Sequence, residues 1–265
     1  MPKDQTHVIF CKCAFNHVIR RDSSRAVLDA LCDSVVAFTA LDDLCRAVAR
    51  GELDNDQFAD GARVVVAACH PRAVRALLAA AGVETGDLDL HVLDMRSKGP
   101  AELAAALGDL FGEPTAHSIE PPDMSRRGDW VPWFPVIDRQ RCVNCRQCLS
   151  FCLFGVYEAD GNGRVMVANP ANCKTNCPAC ARICPEVAII FPKHPTAPIN
   201  GADIRDEELE KARVRADVDE ILGGDLRQAL AKPRRMRRVR LLDSEKVAEA
   251  FTKAPEPSRS DREEP

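Results

Sequence analysis

Aromatic side chains are scarce in this sequence: two Trp, one Tyr and ten Phe make up 5% of its 265 residues. Ala, Val and Leu carry most of an apolar content of 46%. That composition disfavours a β-sandwich filled by aromatic rings and favours helix-rich or α/β packing. No apolar run approaches the length of a membrane span. No sign of charge dominates either: a net −4 gives no global attraction to nucleic acid or to an acidic membrane surface. Met1-Pro2-Lys3-Asp4-Gln5 leads into a short strand pattern and not into the apolar core of a secretion signal. A nucleophile–base pair, a carboxylate set for paired metals and a phosphate-cradling loop are all missing. The expectation is therefore a non-catalytic protein or subunit.

Cysteine is what the sequence has in excess. Thirteen in a chain of this length are a poor disulfide framework, because the count is odd. With no secretion signal, the expected compartment is reducing and cytoplasmic, which leaves the thiols available for metal.

Residues 6–112 alternate between strand and helix. Val8-Ile9-Phe10, Val35-Val36-Ala37-Phe38, residues 63–68 and residues 88–93 read as strands. Residues 24–31, 41–50, 71–81 and 100–111 read as helices. Ser23 or Ser24 is the expected cap of the first, Thr39, Asp42 and Asp43 lead into the second, and Gly51 ends it. Pro71 opens the third and Gly82 follows it. Short continuous apolar strands alternating with helices predict a small open parallel α/β domain over residues 1–112, covered on both faces. Residues 113–135 hold five prolines and no helical period, as expected of a linker. Trp130, Trp133 and Phe134 are expected to pack its end onto the next domain. Residues 201–265 are charged, with Leu209, Val214, Val218, Ile221 and Leu222 as a candidate apolar stripe over 203–231. A basic run over 232–240 and an end expected to be disordered follow.

Residues 136–200 carry the densest signal. Cys142, Cys145, Cys148 and Cys152 are spaced C-x2-C-x2-C-x3-C, and Cys173, Cys177, Cys180 and Cys184 are spaced C-x3-C-x2-C-x3-C-P. Three closely spaced thiolates on one loop reach three irons of a cubane, and the fourth points to the cluster of the other motif. By that rule one [4Fe–4S] cluster takes Cys142, Cys145, Cys148 and Cys184. The second takes Cys173, Cys177, Cys180 and Cys152. Zinc, which wants four ligands as two separated pairs, fits eight cysteines in two quadruplets poorly. Leu149, Phe151, Ile183, Val187, Ile189 and Ile190 are expected to screen the clusters from water. Between the quadruplets, Ala159-Asp160-Gly161-Asn162-Gly163 flanked by β-prone runs signals a hairpin. The stretch over about 136–192 resembles the bacterial-type two-cluster ferredoxin family, which implies a ferredoxin-like fold and electron transport. It departs from the pattern at Leu153, where that family has proline, and at the three-residue spacer after Cys173.

Cys11 and Cys13 follow the first strand, Cys45 lies in the first turn of the second helix, and Cys69 follows the third strand. All four fall at the carboxyl edge of the expected sheet, where open α/β domains bind ligands. Cys32 falls towards the opposite edge. Val8-Ile9-Phe10-Cys11-Lys12-Cys13 and Val64-Val65-Val66-Ala67-Ala68-Cys69-His70-Pro71-Arg72 resemble the N-terminal domain of the flavin-bearing subunit of heterodisulfide reductase. The resemblance covers about residues 6–80 and implies a third [4Fe–4S] cluster on Cys11, Cys13, Cys45 and Cys69. Ala14 and His70 stand where that family often has glycine and serine. The flavin fingerprint Gly-x-Gly-x-x-Gly is missing, so the flavin-binding part of that protein is not implied. His17 and His70 lie near the same edge, with a surface or supporting role as the plainer reading.

Together these features predict an iron–sulfur electron-transfer protein or subunit. It would pass single electrons between redox partners of a larger oxidoreductase complex, the catalytic partner being another polypeptide. A redox-responsive or nucleic-acid-binding regulator, supported by the Arg-rich run 234–240, is the alternative. An enzyme with an open iron at the sheet edge is a third reading.

Overall fold

A computed structural model describes residues 6–221 apart from residues 35, 54, 59–61, 87, 113–120, 122 and 124–129. The linker expected over 113–135 is therefore described chiefly at its end. The basic run over 232–240 and the tail lie outside the described residues.

Four parallel strands, β1 (Thr6–Cys11), β2 (Phe38–Leu41), β3 (Arg63–Ala68) and β4 (Asp89–Asp94), form a sheet in the order β2-β1-β3-β4. The helices are α1 (Arg21–Cys32), α2 (Leu44–Arg50), α3 (Pro71–Ala80) and α4 (Pro100–Phe111). α1 packs against α4 and α2 against α3. Right-handed crossovers on this strand order put one pair on each face. β3 is Val-rich and almost wholly buried because it is central and covered on both sides. The order reverses between β1 and β3, so the crevice for a ligand opens at the carboxyl ends of these two strands.

Three element boundaries differ from the sequence expectation. β2 begins at Phe38, where the run 35–38 was expected to end, because register with β1 pairs Val8 with Phe38 and Cys11 with Leu41. α2 begins at Leu44 and not at residue 41. Asp43, extended at φ −162°, accepts from the N–H groups of Cys45 and Arg46 and so fixes the first turn. α1 starts earlier, at Arg21, with neither serine as its cap. The buried Ser23 hydroxyl donates instead to the Lys98 carbonyl, 3.0 Å away, ahead of α4.

The cysteine-rich region contains two small antiparallel pairings. β5 (Val136–Ile137) pairs with β8 (Ile189–Ile190), and β6 (Tyr157–Ala159) pairs with β7 (Val165–Val167). The latter is the hairpin expected around Asp160-Gly161. α5 (Gln147–Phe151) and α6 (Ala179–Arg182) are short, and α7 (Glu207–Ile221) follows. Leu209, expected in an apolar stripe, is 48% exposed on α7. The described residues of that helix are dominated by charge, and Arg141 holds its first turn through paired bonds of 2.6 and 2.7 Å to Glu207.

The sheet domain and the cysteine-rich region share packing. Phe134, Val136 and Ile190 sit in the core of the sheet domain, whereas Trp133, Ile137, Tyr157, Ile189 and Phe191 form a second core beside the cysteines. The segment 191–202 crosses the carboxyl edge of the sheet. Arg96 donates to the carbonyls of Pro192 (2.9 Å) and His194 (2.6 Å). Arg72 donates to those of Val187 and Ala202, both at 3.0 Å, and to Asp138 at 3.1 Å. At Gly201 the approach leaves no room: a Cβ there would lie 2.6 Å from Ala73 Cβ and 2.9 Å from Ala73 N, at φ +90°.

Gly82 has a similar φ of +84° but open space around it, and so serves as the control. Gly82→Ala is expected to cost about 1–2 kcal/mol for its left-handed backbone alone. Gly201→Ala is expected to cost about 1–3 kcal/mol more for the forced contact. Denaturant midpoints of the two full-length variants measure the difference.

Candidate iron–sulfur sites

The loop from Cys142 to Cys148 is shaped by two non-glycine residues in the left-handed region, Asn144 (φ 57°) and Arg146 (φ 62°). Asn tolerates that conformation. Its side chain also clamps the β6–β7 hairpin, donating to Gly163 O at 3.0 Å and accepting from Val165 N at 2.9 Å. Arg146 donates to the same Gly163 carbonyl at 2.6 Å. The second loop repeats the device with Asn176 (φ 62°). After it, Val187 holds a φ of 52°, rare for a β-branched residue, and Arg72 grips its carbonyl. The turn so made aims the Ala188 N–H at Cys184 Sγ, 3.3 Å away.

The thiols of the two loops meet crosswise. Burial pushes Cys148 up to about 11, with further repulsion from Cys184, Cys142 and Cys145 in that order. Burial pushes Cys173 up to about 12, with Cys177 and Cys152 adding to it. Cys180 is likewise raised to about 12 by burial and then by Cys173, Cys152 and Cys148, against a lowering from the buried Tyr157 hydroxyl, which donates to its sulfur at 3.1 Å. Cys184 is raised by burial and lowered by the N–H groups of Ala188, Glu186 and Ile189.

A cavity of about 490 Å³ opens between Cys152, Cys173, Cys177 and Cys180, walled by Phe151, Leu153, Phe154, Val156 and Tyr157. Four sulfur donors facing an apolar wall, with no carboxylate among the lining residues, fit a thiolate-ligated cluster. Among the described residues no three His, Cys, Asp or Glu side chains close in tightly enough to share a single ion. Thiolates that each bind a different iron of one cubane stand further apart than the ligands of one ion. Of the expected screening residues, Ile183, Val187 and Ile189 are buried, Leu149 and Phe151 partly so, and Ile190 lies in the core of the sheet domain. Leu153 is 92% exposed at the mouth of the cavity.

At the sheet edge, Cys11, Cys13, Cys45 and Cys69 are all buried. Cys11 accepts from Leu44 N at 3.3 Å. Burial raises Cys45, with Cys69 and Cys11 among the groups adding to it. Cys69 is pushed up to about 12 by burial and then by Cys13. The four thiols thus form one electrostatic group. Cys32 does not join it; its charged neighbours are Asp29, Asp33 and Arg25. Of the two histidines singled out, His17 is exposed, and His70 turns Nδ1 to Asp94 Oδ2 at 3.1 Å.

One residue in this group gave no signal in the sequence. Lys193, carried by the crossing segment, is buried, donates to Cys13 Sγ at 3.2 Å and pairs with the Asp43 carboxylate. Burial pulls its ammonium down, but Cys45, Asp43, Cys13 and Cys11 outweigh that and hold it well above its ordinary range.

The clamp on the first loop makes a direct prediction. Asn144→Ala loses both hydrogen bonds and is expected to cost about 1–3 kcal/mol. Asn144→Gly, which takes the left-handed backbone freely, is expected to cost less. Urea unfolding of the cluster-loaded protein ranks the two.

No family model matches the chain. Among curated proteins, a stretch of 63 residues is 52% identical to an uncharacterized ferredoxin of Methanocaldococcus jannaschii, covering 23% of this chain and 42% of that protein. The chain thus spans less than half of that relative. Pyruvate synthase subunit PorD of the same organism is 34% identical over 65 residues, 24% of this chain and 73% of the subunit. Ferredoxin-3 of Nostoc sp. is 31% identical over 75 residues, 22% of this chain and 76% of that protein. These relatives support iron–sulfur electron transfer, and two of them are covered over more than two thirds of their length. The chain therefore belongs to the ferredoxins, by way of a ferredoxin-type [4Fe–4S] module that makes up about a quarter of it.

Proposed function

We propose that this chain is an electron-transfer subunit with three [4Fe–4S] clusters in two domains. Residues 136–200 would hold two: one on Cys142, Cys145, Cys148 and Cys184, the other on Cys173, Cys177, Cys180 and Cys152. The α/β domain of residues 1–112 would hold the third on Cys11, Cys13, Cys45 and Cys69. The observation that carries the reading is the cavity bordered by Cys152, Cys173, Cys177 and Cys180. The nearness of Cys148 to Cys184, Cys142 and Cys145, and the four buried thiols of the sheet edge, which Cys32 does not join, support the other two sets. The resemblance of the sheet-edge cysteines to those of the flavin-bearing subunit of heterodisulfide reductase supports the third set. The likeness to a pyruvate synthase subunit supports a place in a larger redox enzyme, whose catalytic subunit is a separate protein. No helix among the described residues is long and apolar enough to cross a membrane.

Clusters of this kind, when bound, supply one-electron chemistry. The chain supplies the surroundings that set where and at what potential it occurs. Buried apolar residues such as Val156, Ile183 and Ile189 back the module's thiols on their inner side, while Cys145 faces solvent. Backbone N–H groups at Cys11 and Cys184, and the Tyr157 hydroxyl at Cys180, donate to sulfur and thereby spread its negative charge.

Iron and acid-labile sulfide on protein purified without oxygen test the reading. About twelve of each per chain are expected for three cubanes, against about eight for two. Cys45→Ser or Cys69→Ser is expected to remove about four irons, and Cys32→Ser none. Twelve irons untouched by the Cys45 and Cys69 substitutions would refute the third site.

A second prediction concerns Tyr157→Phe. It removes one donor to Cys180 while leaving every thiol in place. The iron content is expected to hold, and one cluster of the module to shift to a more negative potential in a redox titration followed by electron paramagnetic resonance.

A further inference from the structure

The site at the sheet edge poses an electrostatic difficulty that the described residues of its own domain do not resolve. Its four thiols are buried, and the carboxylate of Asp43 is buried beside them. Charge concentrated there, taken out of water, is costly unless a cation shares the space. Within the sheet domain, the Lys12 ammonium is committed to Asp42 at 2.6 Å and to the carbonyl of Asp123. Arg96 lies near Cys69 and Cys13, but its guanidinium is engaged by the carbonyls of Pro192 and His194. Among the described residues, the cation that donates to a sulfur of this group is Lys193. It arrives from the far side of the second quadruplet, 180 residues from Cys13. Three features fix it there: its pairing with Asp43, the grip of Arg96 on the carbonyls either side, and the contact of its own carbonyl with Asn16 Nδ2 at 3.4 Å.

We propose that Lys193 is a tuning residue for the sheet-edge site: held by Asp43 and donating to Cys13 Sγ, its ammonium raises the reduction potential of a [4Fe–4S] cluster bound by Cys11, Cys13, Cys45 and Cys69. This rests on the three-cluster reading above. Adding one electron to that cluster increases the negative charge in a buried space, and a fixed ammonium in contact with a ligating sulfur favours the more negative state. The sheet-edge site is thus incomplete until the segment carrying Lys193 crosses it, so the cysteine-rich module sets the potential of a cluster held by its neighbour.

The test uses the full chain, loaded with iron and sulfide, as wild type, Lys193→Arg, Lys193→Gln and the double variant Asp43→Asn with Lys193→Gln. Gln removes the charge, Arg keeps it, and the double variant removes the charge without stranding a buried carboxylate. Its Asn retains an oxygen able to cap α2. Iron and sulfide are counted first, and a redox titration followed by electron paramagnetic resonance comes second. The expected result is about twelve irons in all four proteins, with one of the three cluster signals moved to more negative potential in Lys193→Gln. The other two are expected to stay in place, Lys193→Arg to lie near wild type, and the double variant to recover part of the shift. Twelve irons with all potentials unchanged in Lys193→Gln and in the double variant would overturn the tuning role alone. Loss of about four irons from both would also overturn it, leaving Lys193 a structural residue. About eight irons in the wild type would overturn the three-cluster reading and this inference with it.

Discussion

One carboxylate, that of Asp43, serves two elements that lie 150 residues apart. One oxygen accepts from Cys45 N at 3.0 Å and Arg46 N at 3.3 Å, and so begins α2. The other pairs with the ammonium of Lys193. The first bond places Cys45 in the opening turn of the helix, facing the carboxyl edge of the sheet. The second fastens the segment that closes that edge. Removing either partner leaves a buried charge, a change that costs about 3–5 kcal/mol in buried pairs of this kind. The position of the sheet-edge thiols and the docking of the cysteine-rich region are therefore two consequences of one contact.

A similar dependence on few contacts holds in the cysteine-rich region, where backbone conformation takes the part that apolar mass plays elsewhere. α5 and α6 are five and four residues long, too short to hold themselves. Their loops are shaped by left-handed Asn144, Arg146 and Asn176, and the turn of hairpin β6–β7 receives the Asn144 and Arg146 side chains. Six of the eight thiols, those of Cys142, Cys148, Cys152, Cys173, Cys180 and Cys184, then line or border a small core of Trp133, Ile137, Tyr157, Val165, Ile189 and Phe191. A region this thin in apolar residues needs a further source of folding free energy, and thiolate–iron bonds are of the right kind.

Much of this was legible in the sequence because it is local. The strand–helix alternation, Gly51 as a C-cap, Pro71 at a helix start and the Asp160-Gly161 hairpin each depend on residues within a few positions of one another. The gathering of Cys11, Cys13, Cys45 and Cys69 was legible for a different reason: a parallel sheet sends every strand's carboxyl end to one edge, so placing the cysteines along their strands places them in space. The start of β2 was misplaced because Val35-Val36-Ala37-Phe38 satisfies the strand pattern as well as the true strand does, and only pairing with β1 decides between them. The serines expected to cap α1 failed because Ser23 found a buried partner on another element. Lys193 was illegible altogether. Flanked by Pro192 and His194, it reads as an ordinary turn lysine, and nothing local reveals that it ends beside Cys13.

The route by which Lys193 reaches that position gives the chain its architecture. From Cys184 the backbone turns at Val187 under the hold of Arg72, runs through β8 beside β5, and crosses the sheet edge at Lys193 under the hold of Arg96. Both arginines belong to the sheet domain, and each lies at one of its strand-to-helix connections: Arg72 is the second residue of α3, after β3, and Arg96 lies between β4 and α4. The carboxyl edge that gathers the thiols is thus also the edge that receives the segment following the last cysteine, Cys184. Gly201, closing the crossing against Ala73 with no space for a side chain, ends it on the same helix that carries Arg72. A joint held at three points by the elements that shape the sheet-edge site does not hinge freely, so the geometry between the two cysteine regions is set by the fold itself and not by a flexible tether.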